Sequence, residues 1–231
     1  MRFVSYAVAL LWALVGALSV TAAPQPGSTG PTTYVQVWLG VQRPDDDSWE
    51  VTDPANGGNA AGDIGTLPFG GGAGQLLWGT GAWQFGYEGG AGAMWKSETT
   101  AFRGTGNGAR VLIDGQFFSF GVFMGGVLSA DLGRNARFYV AAGPSATWAW
   151  LQDNGDGNTV QPVAADVIVL DHSESDVSFE AYGRVGFEVV LTEGFTFGAS
   201  VRYADDEFDF GRGGKLKFDQ PLWLVTLGAR L

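Results

Sequence analysis

Residues 83–96, WQFGYEGGAGAMWK, alternate between two kinds of side chain with a period of two. The odd positions start at Trp83 and end at Trp95, and they carry aromatic or small residues throughout. The even positions are small or polar and include Glu88 and Lys96. Because successive side chains of a strand point to opposite faces, this alternation predicts a β-strand with one apolar face and one polar face.

The length of this strand suits a membrane. Trp83 and Trp95 are separated by a span of roughly 40 Å at the rise of an extended chain. A strand tilted as in a barrel then covers roughly 30 Å of height, which is close to the apolar band of a bilayer with an aromatic girdle at each edge. Phe138 and Trp150 repeat the same spacing on a later strand. The predicted girdle residues are Trp83, Trp95, Phe138, Trp148, Trp150, Tyr203 and Trp223.

The N-terminus has the layout of a secretory signal peptide. A basic start is followed by the apolar run FVSYAVALLWALVGALSV and then by small residues before Pro24. We predict cleavage after Ala22, which makes residues 1–22 the signal, 23–33 a flexible leader and 34–231 the barrel domain. An uncleaved anchor helix is the alternative, although the run is near the lower limit for spanning a bilayer.

Composition narrows the class of protein. The net charge is −11, so nucleic acid is a poor partner. The absence of cysteine excludes disulfides and a lipoprotein anchor. The 37 glycines argue against long helices, while 45% of the residues are hydrophobic. Apolar residues dispersed in alternation are typical of a membrane β-barrel.

The same alternation recurs along the chain and predicts eight strands. Long or moderate polar connections fall at 44–65, 97–108, 151–176 and 205–219, whereas short turns fall at 79–82, 131–135 and 192–194. This order is typical of an up-and-down barrel with long external loops and short periplasmic turns. In the fourth strand the alternation changes phase near Phe117 and Phe118, which indicates either a bulge or a part of the strand outside the membrane.

Three stretches carry a resemblance to a known family: RNARFYVAAGPSATW, FEAYGRVGFEVVLTEGFTFGASVRYA and the strand that closes the chain. They resemble the small outer-membrane β-barrels of Gram-negative bacteria, such as the OmpA transmembrane domain and OmpX- and OmpW-like proteins. The resemblance implies an all-β, eight-stranded antiparallel transmembrane barrel in the outer membrane. One departure is that the chain ends in Leu231 where the family usually ends in an aromatic residue.

Ionisable residues collect on the face predicted to line the lumen. They are Glu88, Glu180, Arg184, Glu188, Arg202 and Arg230, with Lys96 and Arg137 predicted nearer the rims. A simple register across the 192–194 turn places Arg184 opposite Arg202, an unfavourable pair unless a carboxylate lies between them. Since eight strands leave room only for side chains, we interpret this set as a salt-bridged plug. A narrow ion pathway through the same charges is the alternative.

Enzymatic and metal-binding motifs are incomplete. An enzyme acting on lipid A would use the single histidine, His172, with Ser173 or Ser175, but the deacylase pattern His-x-Ser-Asn and the Gly-x-Ser-x-Gly elbow are both missing. The segment 153–158, DNGDGN, lacks the spacing and closing glutamate of an EF-hand. We therefore predict no catalytic residue, no metal site and no cofactor.

The resulting hypothesis is a non-enzymatic outer-membrane barrel with a structural, adhesive or surface-interaction role. Its expected partners are membrane lipids, lipopolysaccharide bridged to the acidic loops by divalent cations, and the barrel-assembly machinery. A soluble lipocalin-like carrier is the rival fold. It would place its apolar residues inside, and a charged core would then be costly.

Overall fold

A closed sheet is the main feature of the computed structural model, which describes residues 31–45, 48–52, 59–62, 64–79, 81–104, 110–133, 135–153, 173–192 and 194–231. Its strands are β1 (Thr32–Gln42), β2 (Trp49–Thr52), β3 (Asn59–Gly62), β4 (Leu67–Trp78), β5 (Trp83–Gly104), β6 (Arg110–Asp131), β7 (Ala136–Asp153), β8 (Glu174–Thr192), β9 (Phe195–Ala204), β10 (Asp206–Asp209), β11 (Lys215–Phe218) and β12 (Leu222–Arg230). One turn of 3₁₀ helix (Gly211–Gly213) joins β10 to β11.

Eight of these strands close into an antiparallel barrel. Neighbouring strands pair in the order β1, β4, β5, β6, β7, β8, β9 and β12. The ring closes where β12 pairs with β1, from Tyr34 opposite Arg230 to Val41 opposite Trp223. Because the ring is closed, each of these eight strands pairs with a neighbour on both sides. A strand in lipid needs this, since lipid cannot hydrogen-bond unpaired backbone groups. The predicted eight-stranded up-and-down barrel is therefore confirmed.

The outer face is the apolar one. Along β5 the exposed fraction is 64% for Trp83 and 69% for Tyr87 on the outer face, whereas Glu88 on the inner face is only 3% exposed. All seven predicted girdle residues lie on the outer face, with Trp150 half-buried and the others exposed. Buried apolar and polar residues fill the inside instead. This distribution excludes the lipocalin-like arrangement, in which the apolar face would point inward.

The four short strands form a cap over the end of the barrel that carries the long connections. The upper part of β5 pairs with β3, which pairs with β2, then β11, then β10. Two predicted loops, 44–65 and 205–219, therefore contain strands. The connection predicted at 97–108 is also shorter than expected, because β5 continues to Gly104 and β6 begins at Arg110.

The phase change in β6 is not a bulge. The β5–β6 register is continuous from Trp83 opposite Ala130 to Arg103 opposite Arg110. Phe117 is buried and contacts Phe218 of the cap at 5.7 Å between ring centroids. Phe117 thus points inward beneath the cap, whereas Phe118 lies on the outer face against Trp148. The other interpretation, a part of the strand outside the membrane, stays a prediction. An irregularity of register lies instead at Val190–Thr192.

Several predictions concern residues outside those the structure describes. The signal peptide at 1–22, most of the leader at 23–33, His172 and residues 154–158 of the calcium-like segment are among them. Among the described residues, no helix has both the length and the apolar content needed to cross a membrane.

Gly186 provides a test of the interior packing. Tyr139 lies opposite Gly186 in the β7–β8 ladder, and its ring occupies the space that a Cβ at position 186 would need. Gly186→Ala should therefore lower the free energy of unfolding by about 2 kcal/mol through overpacking.

Gly183→Ala is the matched control on the same strand, since a Cβ there meets nothing within 4 Å. Heat-dependent gel mobility in detergent would measure both variants. Equal stability of the two variants would contradict the packing of Tyr139 against Gly186.

Candidate functional site

A closed ring of polar side chains crosses the lower half of the lumen. Six residues from five strands form it: Gln36 on β1, Gln75 on β4, Glu88 on β5, Arg137 on β7, and Arg184 and Glu188 on β8. All six are buried. We call this set the lumen ring.

Arg184 and Glu88 make the main ion pair of the ring. One guanidinium nitrogen of Arg184 donates to Glu88 Oε2, and both side chains are fully buried. Glu88 also accepts hydrogen bonds from Gln75 at 2.9 Å and from the Tyr182 hydroxyl at 3.0 Å. The carboxylate is thus satisfied by three donors, which offsets part of its desolvation cost.

Two glutamines connect this pair to a second pair. Arg184 Nη1 donates to Gln36 Oε1 at 2.9 Å, and the Gln36 amide donates to Glu188. Glu188 lies 3.7 Å from Arg137 Nε, and Arg137 in turn donates to Gln75. These contacts close the ring at Glu88. Each arginine therefore contacts one glutamate directly and is linked to the other through a glutamine.

Aromatic rings cover the arginines. The Arg137 guanidinium lies 3.9 Å from the centre of the Tyr34 ring, and that of Arg184 lies 4.5 Å from Trp38 and 4.8 Å from Tyr139. Such contacts stabilise a cation most where water is excluded. They also fill the space beside each guanidinium, so the ring and its aromatic neighbours obstruct the lumen.

An aromatic layer lies above the lumen ring. Trp38 stacks on Phe123 at 5.5 Å, and Phe123 meets Tyr182 edge-on at 4.9 Å between ring centroids. Arg202 lies on the Phe123 ring at 5.2 Å, opposite Arg184 in the β8–β9 ladder. This register matches the one expected from the short turn. Over this layer, the cap adds an apolar core that includes Phe208, Phe210, Leu216 and Phe218.

The six predicted lumen charges do not all lie in the same part of the barrel. Glu88, Arg184 and Glu188 lie in the ring, and Arg202 lies above the aromatic layer. Glu180 is exposed near the extracellular end of β8, and Arg230 is exposed at the opposite end of the barrel beside Tyr34. Neither of these two residues joins the ring.

One residue predicted near a rim also takes part in the ring. Arg137 is the second residue of β7, beside the turn, but its side chain is only 2% exposed and points into the lumen. Lys96, predicted with it, is half-buried and donates to the backbone carbonyl of Ile64. Gln36 and Gln75 were not singled out because neutral amides give no charge signal. Their inward phase, shared with Trp38 and Leu77, was the available signal.

The ring predicts a specific cost for removing one charge. Glu88→Gln leaves Arg184 buried without its paired carboxylate and should lower the free energy of unfolding by about 3 kcal/mol. Thermal unfolding followed by gel mobility measures the change.

Glu180→Gln is the control, because the same chemical change at an exposed position should alter stability by no more than about 0.5 kcal/mol. A Glu88→Gln variant as stable as the control would mean that the pair does not support the barrel.

Solved structures with the same fold are known. Over 88% of this chain and 96% of the other, the chain is similar to the outer membrane protein OprG from Pseudomonas aeruginosa, with 14% identity and a TM-score of 0.54. Ail, the attachment invasion locus protein of Yersinia pestis, is 15% identical over 88% of this chain and 100% of its own, with a TM-score of 0.48. Neisserial surface protein A is 12% identical over 86% and 96%, with a TM-score of 0.42.

No protein-family model matches the sequence, and no curated protein sequence matches it. The likeness to OprG therefore concerns the fold, and the outer belt of apolar side chains is the surface that such a fold presents to lipid. The chain has the fold of the small outer-membrane β-barrels.

Proposed function

We propose that this protein is a closed, non-enzymatic barrel of the outer membrane that holds a structured cap at the cell surface. The observation that carries the proposal is the lumen ring, in which six buried side chains join across the interior. An eight-stranded barrel has an interior just wide enough for side chains. With the ring in place and the aromatic layer over it, no wide water path remains for a solute.

The cap supplies the surface for an interaction. Its outward face alternates charges across the β10–β11 ladder, with Lys215 Nζ 3.6 Å from Glu207 and Lys217 Nζ 3.5 Å from Asp205. These pairs are exposed, so they contribute little to stability. Charged edge strands of this kind resist non-specific pairing with other sheets. They support a role in selective surface contact.

The partners expected from the sequence remain predictions. Lipopolysaccharide bridged by divalent cations would use acidic loops. Within the described part of the chain, no group of three or more histidine and acidic residues is arranged to hold a metal ion. The barrel-assembly machinery would act during insertion.

A narrow channel is the second candidate. It is favoured by the buried hydroxyls of Ser129, Thr196 and Thr226, whose oxygens have no hydrogen-bond partner among the described residues. Buried hydroxyls without protein partners are normally satisfied by water. A hydrated lower lumen would let ions approach the ring, and the ring would then be the barrier to conduction.

Planar-bilayer recording separates the two functions. On our proposal the wild-type protein gives no discrete conductance steps. Removal of one ion pair by Glu88→Ala with Arg184→Ala keeps the charge balance but empties the middle of the ring, so steps should then appear. Steady steps from the wild-type protein would refute the closed scaffold and establish the channel.

A matched variant controls for general damage. Glu207→Ala with Lys215→Ala removes an ion pair of opposite charges from the exposed cap, where the pair distance is 3.6 Å. This variant should stay as silent as the wild-type protein. Conductance from it would show that the cap, rather than the ring, blocks the lumen.

A further inference from the structure

A small polar cavity lies between the aromatic layer and the cap. Its volume is about 20 Å³, which is room for about one water molecule. Its polar lining consists of Gln42, Ser119, Thr147, Arg202 and Asp206. The cavity lies above the lumen ring and shares no residue with it.

Two charged side chains meet this cavity without satisfying each other. Asp206 is only 6% exposed, and its Oδ1 has no hydrogen-bond partner. Arg202 Nε is also buried without a partner. Within the described residues, Arg202 makes no ion pair within 4 Å, although its guanidinium lies on the Phe123 and Tyr182 rings. A buried carboxylate oxygen that lacks a donor raises the free energy of the closed arrangement.

On the side of Asp206, the described part of the cap is joined to the barrel wall by side chains and not by a backbone ladder. The β8–β9 ladder ends where Tyr182 pairs with Ala204, and the chain leaves the wall at Asp205. In the described chain, β10 pairs with β11 alone. Three contacts link the hairpin to β8: the Asp209 amide donates to Asp176 Oδ2 at 2.7 Å, the Gly213 amide donates to Glu174 Oε2 at 3.3 Å, and Ser178 hydrogen-bonds Asp206. A strand held by one ladder separates from its neighbour more easily than the barrel strands do.

The far edge of the hairpin is held better but over a short length. Ladder pairing of β11 with β2 covers Lys215 and Leu216, and the Lys217 amide adds a hydrogen bond to the Ser48 carbonyl at 2.8 Å. The Trp49 indole donates to the Gly213 carbonyl at 2.6 Å. These contacts place the hinge on the β2 side and the opening on the β8 side.

We propose that the hairpin of β10 and β11 is a lid over the Arg202–Asp206 cavity, and that its openings become more frequent when Asp206 ionises. Burial of Phe208, Phe210, Leu216 and Phe218 keeps the closed form the major one. Opening exposes the carboxylate to water and so removes the cost of burying it. Water and small polar solutes then reach the cavity as far as the aromatic layer. The lumen ring below does not take part, so the lid is independent of whether the barrel conducts.

The direction of the pH dependence follows from the surroundings of Asp206. Burial raises the pKa of Asp206 above its ordinary value of 3.8, and the nearby Asp205 adds to this increase. Arg202 and hydrogen bonds from Thr147 and Ser178 lower the pKa of Asp206, but burial is the largest cause. Other charged or titratable groups on the packed strands include Glu174, Asp176, Glu180 and Tyr182 on β8 and Lys215 and Lys217 on β11. Lys217 is paired with Asp205 and Asp219, and Lys215 with Glu207 and Asp209.

Because the closed lid binds the proton more tightly than the open one, closure is favoured at low pH. It weakens as the pH rises from the ordinary carboxyl pKa through the raised pKa of the closed state.

Hydrogen–deuterium exchange of the full chain in lipid nanodiscs tests the lid. Peptides covering residues 206–218 would be followed from about pH 4 to about pH 8, with rates corrected for intrinsic exchange. Protection in the wild-type protein should fall by about tenfold over this range, because ionisation of Asp206 favours the open lid. Asp206→Asn cannot ionise, so its protection should stay high and independent of pH.

Asp205→Asn is the matched control, because it removes an exposed neighbouring carboxylate and leaves Asp206 able to ionise. Since Asp205 raises the pKa of Asp206, this variant should keep the fall in protection but move it to lower pH. A flat wild-type profile, or the same fall in Asp206→Asn, would overturn the proposal.

If Asp206→Asn does not fold, a second variant tests the same proposal. Thr147→Val removes a hydrogen bond that lowers the pKa of Asp206, so it should shift the fall in protection to higher pH. An unshifted fall would show that another group controls the exchange. Bilayer recording stays a separate measurement, because an open lid leaves the lumen ring intact.

Discussion

Arginines in a narrow, water-poor lumen must be compensated by groups that the barrel wall itself supplies. Arg137 and Arg184 each reach both glutamates of the ring, one directly and the other through an amide. The two glutamines matter because each amide accepts from an arginine and donates to a glutamate at the same time. Removing any one side chain of the ring leaves a buried polar partner unpaired. This destabilises the barrel by more than the intact ring stabilises it.

The remaining layers of the interior follow from the width of the barrel. Eight strands leave no room for bulk water, so side chains fill each level and the type of filling changes with height. Charged groups and amides occupy the lower level, Trp38 and Phe123 the middle, and the cap core the top. Arg202 is the exception, because its cation lies on an aromatic ring with Asp206 as the facing carboxylate and no direct ion pair.

Alternation in the sequence was sufficient for the barrel and its lipid-facing belt, since both depend on a period of two that each strand shows by itself. The lumen ring depends on register between strands far apart in sequence, such as Gln36 and Glu188, which are 152 residues apart. Neutral amides gave no charge signal, and Arg137 was placed at a rim because it follows a turn. Asp206 continues the inward series of Ser200, Arg202 and Ala204, but the break at Asp205 marked it as a loop residue.

The phase change in β6 shows why a single rule of inside and outside is insufficient for this chain. Within the membrane, the outer face must be apolar because lipid cannot solvate polar groups, and Met124 and Leu128 are exposed there. Above the membrane the outer face meets water, and burial beneath the cap becomes the apolar environment, which Phe117 occupies. The backbone register stays constant while the solvent changes. The point at which apolar residues switch faces therefore indicates the height at which the strand leaves the bilayer.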